Sequence, residues 1–168
     1  SYHKTAGDEV VLKNDYAGLD AFNRVYISKV FTDTPVPDTA LKLTNVSYGG
    51  TGFFYDKAPP LPEAIERLTP DYHLYDGWVA KQISAGKKPR EFAYYTDYSI
   101  GFLTRGCFRK CAFCVNKNCD EIRLHSPIRE FYDPTRRKIC LLDDNFLGCT
   151  DWERLLLELR QTGRPFQF

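Results

Sequence analysis

Tyr98-Ser99-Ile100-Gly101-Phe102-Leu103-Thr104-Arg105-Gly106-Cys107-Phe108-Arg109-Lys110-Cys111-Ala112-Phe113-Cys114 is the stretch from which the fold and the chemistry of this chain are read. Its first part, residues 98–104, is apolar and suited to a strand. Its second part holds three cysteines, Cys107, Cys111 and Cys114, in a C-x₃-C-x₂-C array within one short loop. Three thiols so close together are hard to explain as packing. They suit an iron–sulfur cluster, which normally takes four thiolates, so that three would leave one iron open. A structural zinc site is the competing reading. It needs a fourth ligand, and Cys119 is near enough in sequence to provide it, although C-x₃-C-x₂-C-x₄-C is an unusual zinc spacing.

The bulk composition narrows the class. With 168 residues, 43% of them hydrophobic and 27% charged, the chain is a globular protein of about one ordinary domain rather than a disordered one. A formal net charge of +1 leaves no electrostatic footprint for bulk nucleic acid or an anionic membrane. No apolar run reaches the ~18 residues that a spanning helix needs, and the first residues lack a signal-peptide core. All six cysteines follow residue 106, three of them in one loop, which reads as a metal site in a reducing compartment and hence a cytoplasmic protein. The absence of methionine, and an ending in Arg164-Pro165-Phe166-Gln167-Phe168 that looks like the start of a strand, lead us to expect a segment of a longer protein.

Along the chain, residues 2–6 read as a helix end with Gly7 as its stop, and residues 10–12 as a short strand. Residues 24–31 and 41–48 read as strands, the second running into Gly49-Gly50-Thr51-Gly52. Without a G-x-G-x-x-G or a Walker lysine, that glycine run is better read as a tight βα turn than as a phosphate loop. Residues 62–68 read as a short helix with Pro62 at its first position, 72–75 as a strand and 78–85 as a helix stopped by Gly86. Residues 138–142 form another strand, ending in Asp143-Asp144-Asn145. Thr150-Asp151-Trp152-Glu153 is a capping box in sequence, and Trp152, Leu155, Leu156 and Leu159 then recur at helical spacing up to Gly163. The order strand–loop–strand–helix predicts parallel α/β architecture.

On these residues the chain resembles the radical S-adenosylmethionine superfamily. Cys107, Cys111 and Cys114 match its cluster ligands, Phe113 the aromatic before the third cysteine, and Thr104-Arg105-Gly106-Cys107 the lead-in of members with a cobalamin-binding-like N-terminal region. The resemblance implies an enzyme in which a [4Fe–4S] cluster cleaves S-adenosylmethionine reductively and generates a 5′-deoxyadenosyl radical. It implies that Phe113 packs near the adenine, and that Asp143 and Asn145 contact the cofactor's ammonium or support the site; a carboxylate suits a cofactor cationic at sulfonium and ammonium. The surrounding Arg105, Arg109, Lys110 and Lys117 would stabilise thiolates and dock an acidic electron donor such as a flavodoxin or ferredoxin. A non-catalytic zinc or iron–sulfur module is the alternative.

The resemblance also sets the expected organisation. Residues 1–95 would be a partial Rossmann-like, cobalamin-binding-like α/β region, and 96–168 the first βα units of a partial (βα)₆ barrel. Asp71-Tyr72-His73-Leu74-Tyr75-Asp76-Gly77 approaches a D-x-H-x-x-G cobalt-ligand motif but misses by one residue before the glycine, so cobalamin is not expected and His73 reads as a surface or packing residue. Residues 1–106 hold no cysteine, which argues against the methylthiotransferase branch. The substrate is not read from the sequence.

Overall fold

The computed structural model of the chain describes residues 1–55 and 58–168. The protein is mixed α/β, and its contacts divide it into two compact units. One is Lys13–Pro62. The other is Ser1–Leu12 together with Glu63–Phe168. Among the described residues the sheets have two, three and two strands. They form neither a doubly wound Rossmann sheet nor a barrel, which so few strands cannot close.

The chain opens with one helical turn, α1 (Tyr2–Thr5), tied to its unit where Lys4 Nζ meets Asp71 Oδ2 at 2.8 Å. Residues 10–12 are not the expected strand. Val10 and Val11 are exposed, and a strand without a partner leaves its backbone groups unpaired.

In Lys13–Pro62, β1 (Val25–Ser28) is shorter than the expected 24–31. The segment after it forms α2 (Asp38–Leu41), with Pro37 at the N-cap and Asp38 in the first turn. Leu41 therefore ends a helical turn instead of starting a strand, and β2 (Val46–Gly49) begins later than expected, parallel to β1 with Val46 opposite Val25. Asn45 fixes this start: its amide donates to Leu19 O at 2.8 Å and Phe22 O at 2.7 Å. The glycine run then enters α3 (Thr51–Phe54) as a tight βα turn. Gly52 N donates to Lys29 O at 2.8 Å, and a Cβ on Gly50 (φ 100°) or on Gly52 would collide with the Lys29 backbone, so close main-chain packing accounts for these glycines.

The larger unit continues through α4 (Glu63–Glu66), α5 (Asp76–Ser84) and α6 (Ala93–Thr96) to β3 (Tyr98–Gly101). Next come β4 (Thr104–Arg105), β5 (Arg123–Leu124), β6 (Lys138–Leu141), α7 (Trp152–Gln161) and β7 (Phe166–Gln167). Strands β3, β6 and β7 lie in that order, all parallel, with Ile139 opposite both Ser99 and Phe166. The parallel sheet and the strand–helix–strand order are as the sequence predicts. On one side of this sheet Ile139 and Leu141 join Leu103, Phe131, Phe146, Cys149, Leu155 and Leu159 in the core. The α7 stripe works as its spacing predicts, but the capping box does not form. Asp151 takes the N-cap place, and its carboxylate pairs with Arg154 at 3.2 Å, which also holds Glu158 at 2.5 Å.

Residues 72–75 form a turn rather than a strand, because Asp71 Oδ1 accepts from His73 N at 3.3 Å. The turn sends Tyr72 to the free edge of β3, where its hydroxyl donates to Phe131 O at 2.6 Å and accepts from Ile100 N at 2.8 Å. Burial raises the Tyr72 pKa, so this phenol stays neutral and can keep donating. No described helix is long and apolar enough to cross a membrane.

Arg136 holds these parts together. It is 5% exposed, and its guanidinium donates to Tyr95 O at 3.0 Å, to Thr96 O and to Tyr72 O, closing the C-terminus of α6 against the Tyr72 turn. Its Nε has no hydrogen-bond partner among the described residues, and Asp76 Oδ1 lies 4.0 Å from Nη2. Arg136→Met keeps the apolar stem and leaves three carbonyls unpaired, while relieving an imperfectly satisfied buried charge. The net expected loss is about 2 kcal/mol of unfolding free energy, read by urea denaturation of the variant against the parent. An unchanged midpoint would mean that water replaces the guanidinium.

Candidate metal centre

The cysteine loop is built on a ribbon. After β3 the chain turns into β4, which pairs antiparallel with β5, Thr104 opposite Leu124, and His125 N extends the pairing to Leu103 O at 2.8 Å. Residues 106–122 project from this ribbon. Their neck is Gly106, at φ 97°, where a Cβ would strike the carbonyl oxygen of Glu121. Any side chain there would force the two ends of the loop apart.

Within the loop, Cys114 N donates to Cys111 O at 3.0 Å, a turn that brings the second and third cysteines onto one short arc. All three are free and half-buried. Two of the sulfurs accept N–H donors: Cys114 Sγ from Asn116 N at 3.4 Å, and Cys107 Sγ from Asn145 Nδ2 at 3.6 Å. Among the described residues no three His, Cys, Asp or Glu side chains converge in an arrangement that could hold a metal ion. The donor set nevertheless fits a cluster: three free, half-buried thiols on one short loop are not required to converge until a metal draws them in, and N–H···S bonds are the contacts that thiolate ligands take from their surroundings. Cys119 is also half-buried, and its Sγ lies 3.9 Å from Asn116 Oδ1. Cys140 and Cys149 are buried core residues.

The residues after β6 fasten the loop to the sheet. Leu142 N donates to Gly101 O at 2.9 Å, continuing the β3–β6 ladder. Asp143 then accepts three bonds, from Leu103 N at 3.1 Å, from Thr104 N at 2.5 Å and from the Thr104 hydroxyl at 2.6 Å. Asp144 Oδ2 accepts from Gly106 N at 3.4 Å, and Asn145 reaches Cys107. The structure thus brings Asp143 and Asn145 to the cysteine loop, with their polar atoms engaged by the loop and its lead-in. Phe113 is 91% exposed at the loop surface. Asp144, Asn116 and Gly148, which packs on the Asn145 amide, also shape the loop. Asp144 sat in a motif already noted, whereas Asn116 and Gly148 carry no local signal.

The charge around the loop is less uniform than its composition suggests. Lys110 Nζ lies 2.5 Å from Asp120 Oδ1 across the loop. Their hydrogen bond, reinforced by charge attraction, lowers the Asp120 pKa and raises that of Lys110. Arg105, also exposed, lies over the Phe102 ring, 3.2 Å from its centroid, so among the described residues Arg109 and Lys117 are the exposed cations of the loop without an ion-pair or ring partner. Burial, then the charge of Arg105, lowers the His125 pKa at the foot of the ribbon, so His125 is neutral at pH 7. His73 sits on the surface with Nδ1 2.7 Å from Asp76 Oδ2. No protein-family model, curated protein or solved structure matches the chain.

Proposed function

We propose that the chain is a radical S-adenosylmethionine enzyme, or the part of one that carries the cluster loop. The observation that carries the reading is the C-x₃-C-x₂-C loop at the carboxyl end of β3, fastened by Asp143, Asp144 and Asn145 at the carboxyl end of the adjacent parallel strand β6. Ligands of parallel α/β proteins bind at such strand ends. Cys107, Cys111 and Cys114 would hold a [4Fe–4S] cluster. When bound, that cluster with its open iron supplies the electron for reductive cleavage of S-adenosylmethionine to a 5′-deoxyadenosyl radical.

The chain's own residues orient and shield. Of the two roles expected for Asp143 and Asn145, their hydrogen bonds favour support of the site over contact with the ammonium. Phe113, with its face open, is available to cover an adenine. Arg109 and Lys117 offer an acidic flavodoxin or ferredoxin a cationic surface. In this reading residues 96–168 contribute the first βα units of a partial (βα)₆ barrel, and residues 1–95 a partial cobalamin-binding-like region.

Anaerobic reconstitution with iron and sulfide tests the proposal. The expected product is brown, absorbs at about 400 nm and holds about four irons and four sulfides per chain. Adding S-adenosylmethionine and a strong reductant should then yield 5′-deoxyadenosine. A colourless chain that takes up zinc and no sulfide would replace this reading with a structural zinc module that draws on Cys119.

A further inference from the structure

We infer that Asn145 is a tuning residue for the cluster: its side-chain amide, donating to Cys107 Sγ, sets the reduction potential by stabilising the reduced state. The inference rests on the cluster reading above and adds to it the group that controls one of its electronic properties.

Three observations converge on this amide. Its Nδ2 lies 3.6 Å from Cys107 Sγ, within reach for a bond to sulfur. Its position is enforced from behind. A Cβ on Gly148 would come within 2.8 Å of Nδ2, 2.5 Å of Ile122 Cδ1 and 2.9 Å of Phe108 Cε1, so the glycine leaves just the room the amide occupies. Its main chain is held as well, since Gly148 N donates to Asn145 O at 3.1 Å and the preceding Asp143 and Asp144 are bonded to residues 103–106. The donor is therefore fixed by the fold and does not have to be ordered when a cluster forms.

The direction of the effect follows from charge. Reduction adds an electron that is shared by the ligating sulfurs, and an N–H dipole pointed at one of them favours the more negative state. Asn145 accordingly raises the midpoint potential. Cys114 takes its bond from a main-chain N–H, which side-chain substitution leaves in place, whereas the Cys107 bond depends on one replaceable side chain.

The test is a redox titration of reconstituted parent, Asn145→Leu and Asn145→Asp proteins, followed by visible absorbance and electron paramagnetic resonance, with iron and sulfide determined on each. Asn145→Leu should keep the parent's iron and sulfide content and shift the midpoint to lower potential. Asn145→Asp, the same shape with an acceptor facing sulfur, should shift it further in the same direction. Gly148→Ala, which crowds the amide while keeping Asn145, should also lower it. Midpoints equal to the parent's in both Asn145 variants, with clusters intact, would overturn the inference and leave the cluster reading standing. A parent chain that assembles no cluster overturns both.

Discussion

Replacing Cys111 with alanine is expected to strip the reconstituted protein of iron while leaving its fold in place. Cys111 is suited to this test because its sulfur, alone among the three, accepts no hydrogen bond from the described residues; Cys107 is bonded by Asn145 and Cys114 by Asn116. The turn at this point is made by the Cys111 carbonyl, which accepts from Cys114 N at 3.0 Å and which alanine retains. The variant therefore removes a ligand and little else. Two thiolates cannot hold a [4Fe–4S] cluster that already has one iron without a cysteine, so iron and sulfide should fall at least about tenfold, and 5′-deoxyadenosine formation with them. The far-ultraviolet circular dichroism and thermal midpoint of the metal-free chain should stay at parental values. Cys119→Ala is the control that separates the two metal readings. It should leave the cluster in place, whereas a four-thiolate zinc site would lose its metal. Iron content that survives Cys111→Ala would mean that this array is not the ligand set.

How much of this was legible in the sequence depends on how far apart the interacting residues lie. Strands β3 and β6, helix α7 and the parallel β7 announce themselves through apolar runs and 3.6-residue spacing, and Trp152, Leu155, Leu156 and Leu159 do face the core. The cysteine array is equally local. The misread segments are those in which a side chain outcompeted the local pattern. Asp71 turned an aromatic run into a bend, and Pro37 with Asp38 made a helical turn where Leu41 suggested a strand. The contacts that organise the site are longer in range. Asp143 bonds residues 39 and 40 positions upstream, and Arg136 bonds carbonyls 40, 41 and 64 positions away. A main-chain partner has no residue type, so neither contact leaves a motif. Within Arg136-Arg137-Lys138 nothing distinguishes the buried arginine from its solvated neighbour.

Asp143→Ala is expected to be the most destabilising single substitution near the site. The carboxylate accepts from two backbone amides and one hydroxyl, and Thr104, which supplies two of those donors, is 0% exposed. Water cannot readily reach donors so placed, so removing the acceptor leaves buried N–H and O–H groups unpaired, at about 1–3 kcal/mol each. Because the three bonds share one carboxylate and are not additive, we expect a total of about 3–4 kcal/mol, a large part of the stability of a domain this size. Asp143→Asn separates shape from charge. Its one carbonyl oxygen can serve Thr104, but its amide then faces Leu103 N donor to donor, so about half the loss should remain. Urea denaturation of the metal-free proteins measures both, with the denaturant dependence checked for a constant slope. Cluster assembly offers a second readout. If Asp143 joins the lead-in to the carboxyl end of β6, reconstituted Asp143→Asn should lose iron faster to a chelator than the parent. Asp143→Ala with parental stability would show that the loop is held by β4 and β5 alone, and the fastening would then fall to Asp144 and Asn145.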